Sequence, residues 1–158
     1  MKFPPLPRLV LALALASACS LNLPARSDGF APIRLTPEEI RLDADASRPG
    51  GMSLATLAGD MAKPGLYAVR IRMPGQLKVQ PHTHPEDRLV VVLSGTLHVG
   101  FGERFEPDRM RAMPAGSFFV EPARTPHFAW VRGEDAIVQV SGIGPSGTVY
   151  LDGGGTGH

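Results

Sequence analysis

Two histidines two residues apart, His82 and His84, stand in the stretch MPGQLKVQPHTHPEDRLVVVLSGTLHVGFG that runs from Met73 to Gly102. Along an extended strand the side chains alternate, so both imidazoles point to the same face. A neutral imidazole is a common ligand for transition metals, and two on one face can grip a single ion. The pair alone also suits a solvated strand; metal chemistry needs a third ligand and a scaffold that brings it close. The chain has five histidines, so the candidates are few. His98 lies between apolar Leu97 and Val99 and is expected to face outward without a role. His158 ends a glycine-rich tail and is read as inert. His127 opens a later strand. Gln139 and Ser141 share one face of another strand, which is either directed into the pocket or simply exposed.

The elements that must position these residues are short strands. Tyr67 to Met73 alternates and ends at Pro74-Gly75; Arg88 to Leu93 ends at Ser94-Gly95, and Thr96 to Phe101 is expected to return from it as a hairpin partner. Arg104 to Met113 reads as a loop with a short helical turn. Ser117 to Val120, His127 to Arg132 and Ala136 to Ser141 complete the series. Turn signals recurring at roughly ten-residue intervals indicate an all-β sandwich or barrel. Leu89, Val91 and Leu93 fall on one face of their strand and Val90 and Val92 on the other, so both faces should be covered. A barrel interior takes one, and the N-terminal segment or a second copy takes the other. A homodimer is therefore expected.

Upstream the signals are weaker. Leu35-Thr36-Pro37-Glu38-Glu39-Ile40 reads as one helical turn, with Thr36 as cap, Pro37 first inside it and Glu39 three residues past the cap. Arg48 to Gly51 and Lys63 to Gly65 are turns flanking a short strand between Met52 and Leu57. Residues 20–34 read as an extended lead. The beginning reads as an export signal: Lys2 and Arg8, then the apolar run Leu9 to Leu15, then Ala16-Ser17-Ala18. That run is too short to span a bilayer as a helix. The expected location is periplasmic or secreted. Cys19, the one cysteine, excludes an intramolecular disulfide and stands where a bacterial lipoprotein would carry its lipid, although Ala16 departs from the usual leucine. The expected organisation is thus a signal peptide at 1–18, an extension with leading strands at 19–65, a barrel at 66–145 and a flexible tail at 146–158.

The chain has 158 residues, with 16 basic and 15 acidic side chains; removing Lys2 and Arg8 with the leader moves the formal charge from +1 to −1. So balanced a chain, without a basic block, is not built for nucleic acid. Its length suits one domain with a sizeable core.

Between Leu66 and Ser141 the residues resemble the cupin superfamily, small barrels of jelly-roll type. The family's first motif is Gly, His-x-His, Glu and Gly in fixed spacing. Gly75, His82, His84 and Gly95 match it, while Arg88 stands in the place of the Glu. In the second motif Gly116, Pro122 and His127 match, Arg124 replaces a Gly and Val131 an Asn. The resemblance implies a cupin-type jelly-roll barrel in which His82, His84 and His127 hold one divalent metal ion, of iron, manganese, zinc, nickel or copper.

Arg88 matters because a guanidinium stays protonated and cannot ligate a metal. Three readings follow. The ion is held by three imidazoles with water in the open positions; or Glu86 stands in as the carboxylate or neutralises Arg88; or no metal binds, and Arg88 with the histidines grips an anionic small molecule. The first is favoured, with Arg88, Glu86 and Gln139 as candidate ligand-binding groups. Two functions remain open. One is a metal-dependent oxygenase or isomerase acting on a small oxygen-rich, anionic molecule. The other is a non-catalytic binding or sensing protein in which Arg88 helps to hold such a ligand. Fold alone does not choose between them.

Overall fold

The computed structural model describes residues 29–44 and 49–151. The expected leader, Cys19, Arg48 and the glycine-rich end from Gly153 to His158 lie outside the described residues. Near the start, Pro37–Glu39 forms one 3-10 turn. Glu39 reaches back so that its carboxylate accepts the Thr36 N–H at 2.7 Å, the reciprocal half of the expected cap. A second 3-10 turn, Pro49–Gly51, leads into the strands.

Eleven strands follow one another among the described residues: β1 (Asp43–Ala44), β2 (Ser53–Ala58), β3 (Gly65–Met73), β4 (Lys78–Thr83), β5 (Arg88–Ser94), β6 (Thr96–Phe101), β7 (Arg111–Pro114), β8 (Phe118–Glu121), β9 (His127–Trp130), β10 (Ala136–Gly144) and β11 (Val149–Tyr150). They build two antiparallel sheets. Sheet A runs β1-β2-β3-β10-β5-β8, and sheet B runs β11-β4-β9-β6-β7. This is the expected all-β jelly roll.

The core lies between the sheets. Val69, Val90, Val92, Val138 and Val140 line sheet A and meet Leu97, Val99 and Ala129 of sheet B, with Val131 just past the end of β9, all buried. The valines of β5 and β10 come from strands of alternating burial, the period-2 pattern of a two-faced sheet. Where β5 expected cover on both faces, the structure supplies it on one. Leu89 and Leu93 are 48% and 40% exposed, beside exposed Phe118 and Val120 of β8.

Three expectations need correction. First, β5 and β6 are not hairpin partners: β5 pairs with β10 and β8, and β6 with β7 and β9. Gly95, with φ of 71°, turns the chain out of one sheet into the other. A Cβ there would stand 2.4 Å from the Asp135 carbonyl oxygen, so only glycine fits the corner. Second, Arg104 to Met113 holds a 3-10 turn, Pro107–Arg109, and also the start of β7. Third, residues 146–151 are not a loose tail. The Ser146 N–H donates to the Met61 carbonyl at 2.7 Å, β11 pairs with β4, and the Leu151 N–H donates to the Pro81 carbonyl at 3.0 Å. Among the described residues no helix is long and apolar enough to cross a membrane.

Candidate metal centre

Sheet B presents the histidines. On β4 and β9, Val79 faces Ala129 and His82 faces His127, three steps along one strand against two along the other. One extra residue is therefore bulged out between Val79 and His82, and it brings both side chains to the same, inner face. The bulge contains Pro81, which has no N–H to lose from the ladder. His82 and His127 become direct cross-strand neighbours, with ring centroids 4.2 Å apart. His84, just past the end of β4, lies 4.9 Å from His82 and 5.0 Å from His127. All three are buried, at 6%, 4% and 1% exposure. One ligand atom from each lies within 4.8 Å of the others, so the group could hold a metal ion.

Each ring is held by a backbone carbonyl. Nδ1 of His82 meets the Gln80 oxygen at 2.7 Å, that of His84 the Gly147 oxygen at 2.7 Å, and that of His127 the Thr125 oxygen at 3.0 Å. A carbonyl only accepts, so each Nδ1 carries the proton and each Nε2 of the neutral ring is left with its lone pair. This anchoring of the remote ring nitrogen is how metal-binding imidazoles are oriented. The His127 Nε2 is buried without a hydrogen-bond partner among the described residues. Such an orphan, with two other imidazoles beside it, fits an ion.

Sheet A faces the triad with one polar row. Tyr67, Gly142, Arg88 and Glu121 are register partners across β3, β10, β5 and β8. Gly142 leaves room for the phenol, since a Cβ would come within 2.7 Å of the Tyr67 oxygen. Tyr67 then donates to Glu86 Oε1 at 2.7 Å, and Arg88 Nε donates to the same oxygen at 2.8 Å. The Arg88 guanidinium also donates to His84 Nε2 at 2.9 Å, to the Ser146 hydroxyl and to the Gly147 carbonyl. Its charge is thus matched by Glu86 within the protein. The contact with His84 Nε2 occupies a lone pair that a metal would use, so binding through that atom requires the guanidinium to withdraw.

The electrostatics keep the His82 and His84 rings neutral. Burial, helped by the neighbouring His127, lowers the His82 pKa to about 4. Burial and the Arg88 charge lower that of His84 to about 2. Burial acts to raise Glu86, but hydrogen bonds from Ser146, Arg88 and Tyr67 outweigh it and hold the carboxyl below its ordinary value. Burial pushes Tyr67 up to about 12. Neutral imidazoles are the form that ligates.

The structure brings His82, His84 and His127 together, with Arg88 against His84 and Glu86 one hydrogen bond further out. It does not bring in Gln139. Val138 and Val140 point into the core, so Gln139 and Ser141 lie on the outer face of sheet A, where Arg70 donates to Gln139 at 3.2 Å. His98 lies on the outer face of sheet B opposite Trp130. Arg124 is exposed and has φ of 57°, a left-handed conformation that explains the family's glycine there; its N–H donates to the His84 carbonyl at 2.7 Å. Sequence reasoning missed Glu121. Its Oε2 stands 3.7 Å from His84 Nε2 and 3.6 Å from His127 Nε2. An acid closing the apolar run Phe118-Phe119-Val120 was its one signal.

Residues 69–141 match the family described as cupin domain. No curated protein matches the chain. Among solved structures, the polyketide cyclase RemF from Streptomyces resistomycificus is similar over 72% of this chain and 80% of its own, at 16% identity and a TM-score of 0.58. An RmlC-like cupin from Ralstonia eutropha is similar over 76% and 72%, at 20% identity and a TM-score of 0.58. A sugar phosphate isomerase of the cupin superfamily from Silicibacter pomeroyi is similar over 75% and 82%, at 20% identity and a TM-score of 0.57. At these identities the likeness is one of fold. Taken with the family match and the motif histidines grouped inside the jelly roll, it identifies residues 69–141 as a domain of the cupin superfamily.

Proposed function

We propose that this chain is an exported cupin that binds one divalent metal ion through His82, His84 and His127 and acts as an oxygenase or isomerase on a small, oxygen-rich anion. The observation that carries the reading is the shared tautomer: three Nδ1 atoms tied to carbonyls, and a buried His127 Nε2 with nothing to bond. A bound ion would supply Lewis acidity and open positions for substrate oxygens. The protein fixes the three rings and keeps His82 and His84 neutral, and the Glu86–Arg88 pair removes most of the charge that would oppose a cation. Imidazole donors suit several divalent metals, and a donor set with open positions is compatible with either reaction class.

The non-catalytic reading gave Arg88 the task of gripping an anion. Its N–H groups are turned instead to Glu86, His84, Ser146 and Gly147, which weighs against that task. Export is supported by the basic, then apolar, then small-residue order of residues 1–18, with lipidation of Cys19 as its variant. A homodimer is supported by the apolar outer face of β5 and β8, on which a second copy would lay the same surface.

The test is metal content. Purified wild type should carry or take up about one equivalent of a divalent ion, and His82→Ala and His127→Ala should each lose it while remaining folded. Equal, near-zero occupancy in all three proteins refutes the metal reading. Substrate screening of the loaded wild type against hydroxy and keto acids, with His127→Ala as control, then tests turnover.

A further inference from the structure

We infer that Glu121, from the strand next to the first motif, supplies the carboxylate ligand that this motif lacks. The inference rests on the metal reading above and adds a fourth protein donor to it.

Where the first motif calls for Glu, this chain has Arg88 on β5. Directly across the ladder on β8 is Glu121, so the acid has moved sideways by one strand at the same level of the sheet. Its side chain points inward with Phe119 and is 14% exposed. One oxygen lies almost equally far from two imidazole nitrogens, 3.7 Å from His84 Nε2 and 3.6 Å from His127 Nε2. Those separations are too long for hydrogen bonds. They are near what two ligands of one ion leave between them: donors each about 2.1 Å from a shared metal stand roughly 3.0 to 3.6 Å apart.

The hydrogen-bond bookkeeping points the same way. Because each Nδ1 donates to a carbonyl, both Nε2 atoms are acceptors; that of His84 takes an Arg88 N–H, while that of His127 is buried without a partner among the described residues. An ionised Glu121 carboxylate beside that orphaned Nε2 sets two acceptors face to face, an arrangement that a cation between them satisfies. Burial raises the Glu121 pKa, so the carboxyl gives up its proton less readily than usual, and an ion bound beside it would favour the carboxylate form. A set of three nitrogens and one carboxylate oxygen also favours harder ions, such as manganese or ferrous iron, more than three nitrogens alone.

The experiment uses full-length wild type, Glu121→Gln and His127→Ala, each titrated with Co2+ alone by visible absorbance and with Mn2+ alone by electron paramagnetic resonance. Glu121→Gln is isosteric and adds no charge; a melting curve confirms its fold. If it melts early, Glu121→Asp, which withdraws the carboxylate by one methylene, replaces it. Loss of the ligand should weaken binding by about ten- to a hundredfold or more and shift the cobalt bands. Unchanged affinity and spectrum in Glu121→Gln, with binding lost in His127→Ala, overturns the inference and leaves the three-histidine site standing. Absence of binding in wild type as well removes both readings.

Discussion

Glu86 and Arg88 form an ion pair whose side chains are 8% and 9% exposed, so breaking it should be costly and removing it whole should not. Their contact is 2.8 Å. With charge centres about 4 Å apart and an effective dielectric of about 20, the attraction is roughly 4 kcal/mol. Glu86→Gln forfeits it and leaves a guanidinium buried against His84. Arg88→Met leaves a carboxylate with only Tyr67 and Ser146 to solvate it. Each should lower stability by about 3 to 5 kcal/mol. The double variant buries no charge at all and should lose only about 0 to 2 kcal/mol, because the desolvation cost disappears with the attraction. The coupling energy of the cycle is then several kcal/mol. Urea unfolding of chelator-treated protein at pH 7 measures all four corners. The same variants carry a second readout: Glu86→Gln should weaken divalent ion binding, and the double variant should bind more tightly than wild type. A double variant as unstable as the sum of the two singles would refute the claim that Glu86 neutralises Arg88.

Three more outcomes are expected. Gly142→Ala places a methyl within 2.7 Å of the Tyr67 oxygen; it should cost about 1 to 3 kcal/mol in thermal unfolding, and Tyr67→Phe should relieve part of that cost. The metal-free protein should lose stability on acidification from about pH 6.5: His82 has its folded pKa depressed to about 4, so its contribution is full above the unfolded value and falls as pH drops, by about 2 kcal/mol at pH 5. Urea midpoints that stay level between pH 7 and pH 5 would contradict a buried, neutral His82. Phe118→Asp and Leu89→Lys, on the exposed face of sheet A, should turn a dimer into monomers in analytical ultracentrifugation; a monomeric wild type would rule the dimer out.

What could be read from the sequence was whatever depends on spacing along one strand. His82 and His84 share a face because alternation puts them there. Gly95 and Pro74-Gly75 are turns because few other residues make them. What could not be read depends on which strands lie side by side. The turn at Gly95 looks like a hairpin until sheet membership is known, since a left-handed glycine serves equally well to cross from one sheet to another. The bulge at Pro81 is invisible without the β9 register, although it decides that Val79 and His82 face inward together. Residues 146–151 looked like part of a tail because Gly147 and Ser146 carry no periodic signal, and only the folded chain brings them to His84 and Arg88. Glu121 is the sharpest case. A motif read along the chain finds Arg88 where an acid is expected and counts a ligand as missing. Read across the sheet, the same level of the barrel holds Arg88 and Glu121 side by side. A metal site depends on which groups reach a point, not on which strand delivers them, so exchanging an acid with its cross-strand neighbour preserves the chemistry while erasing its mark in the sequence. The Arg88–Glu86 pair is what makes the exchange tolerable, because without it the arginine would repel the ion that Glu121 attracts.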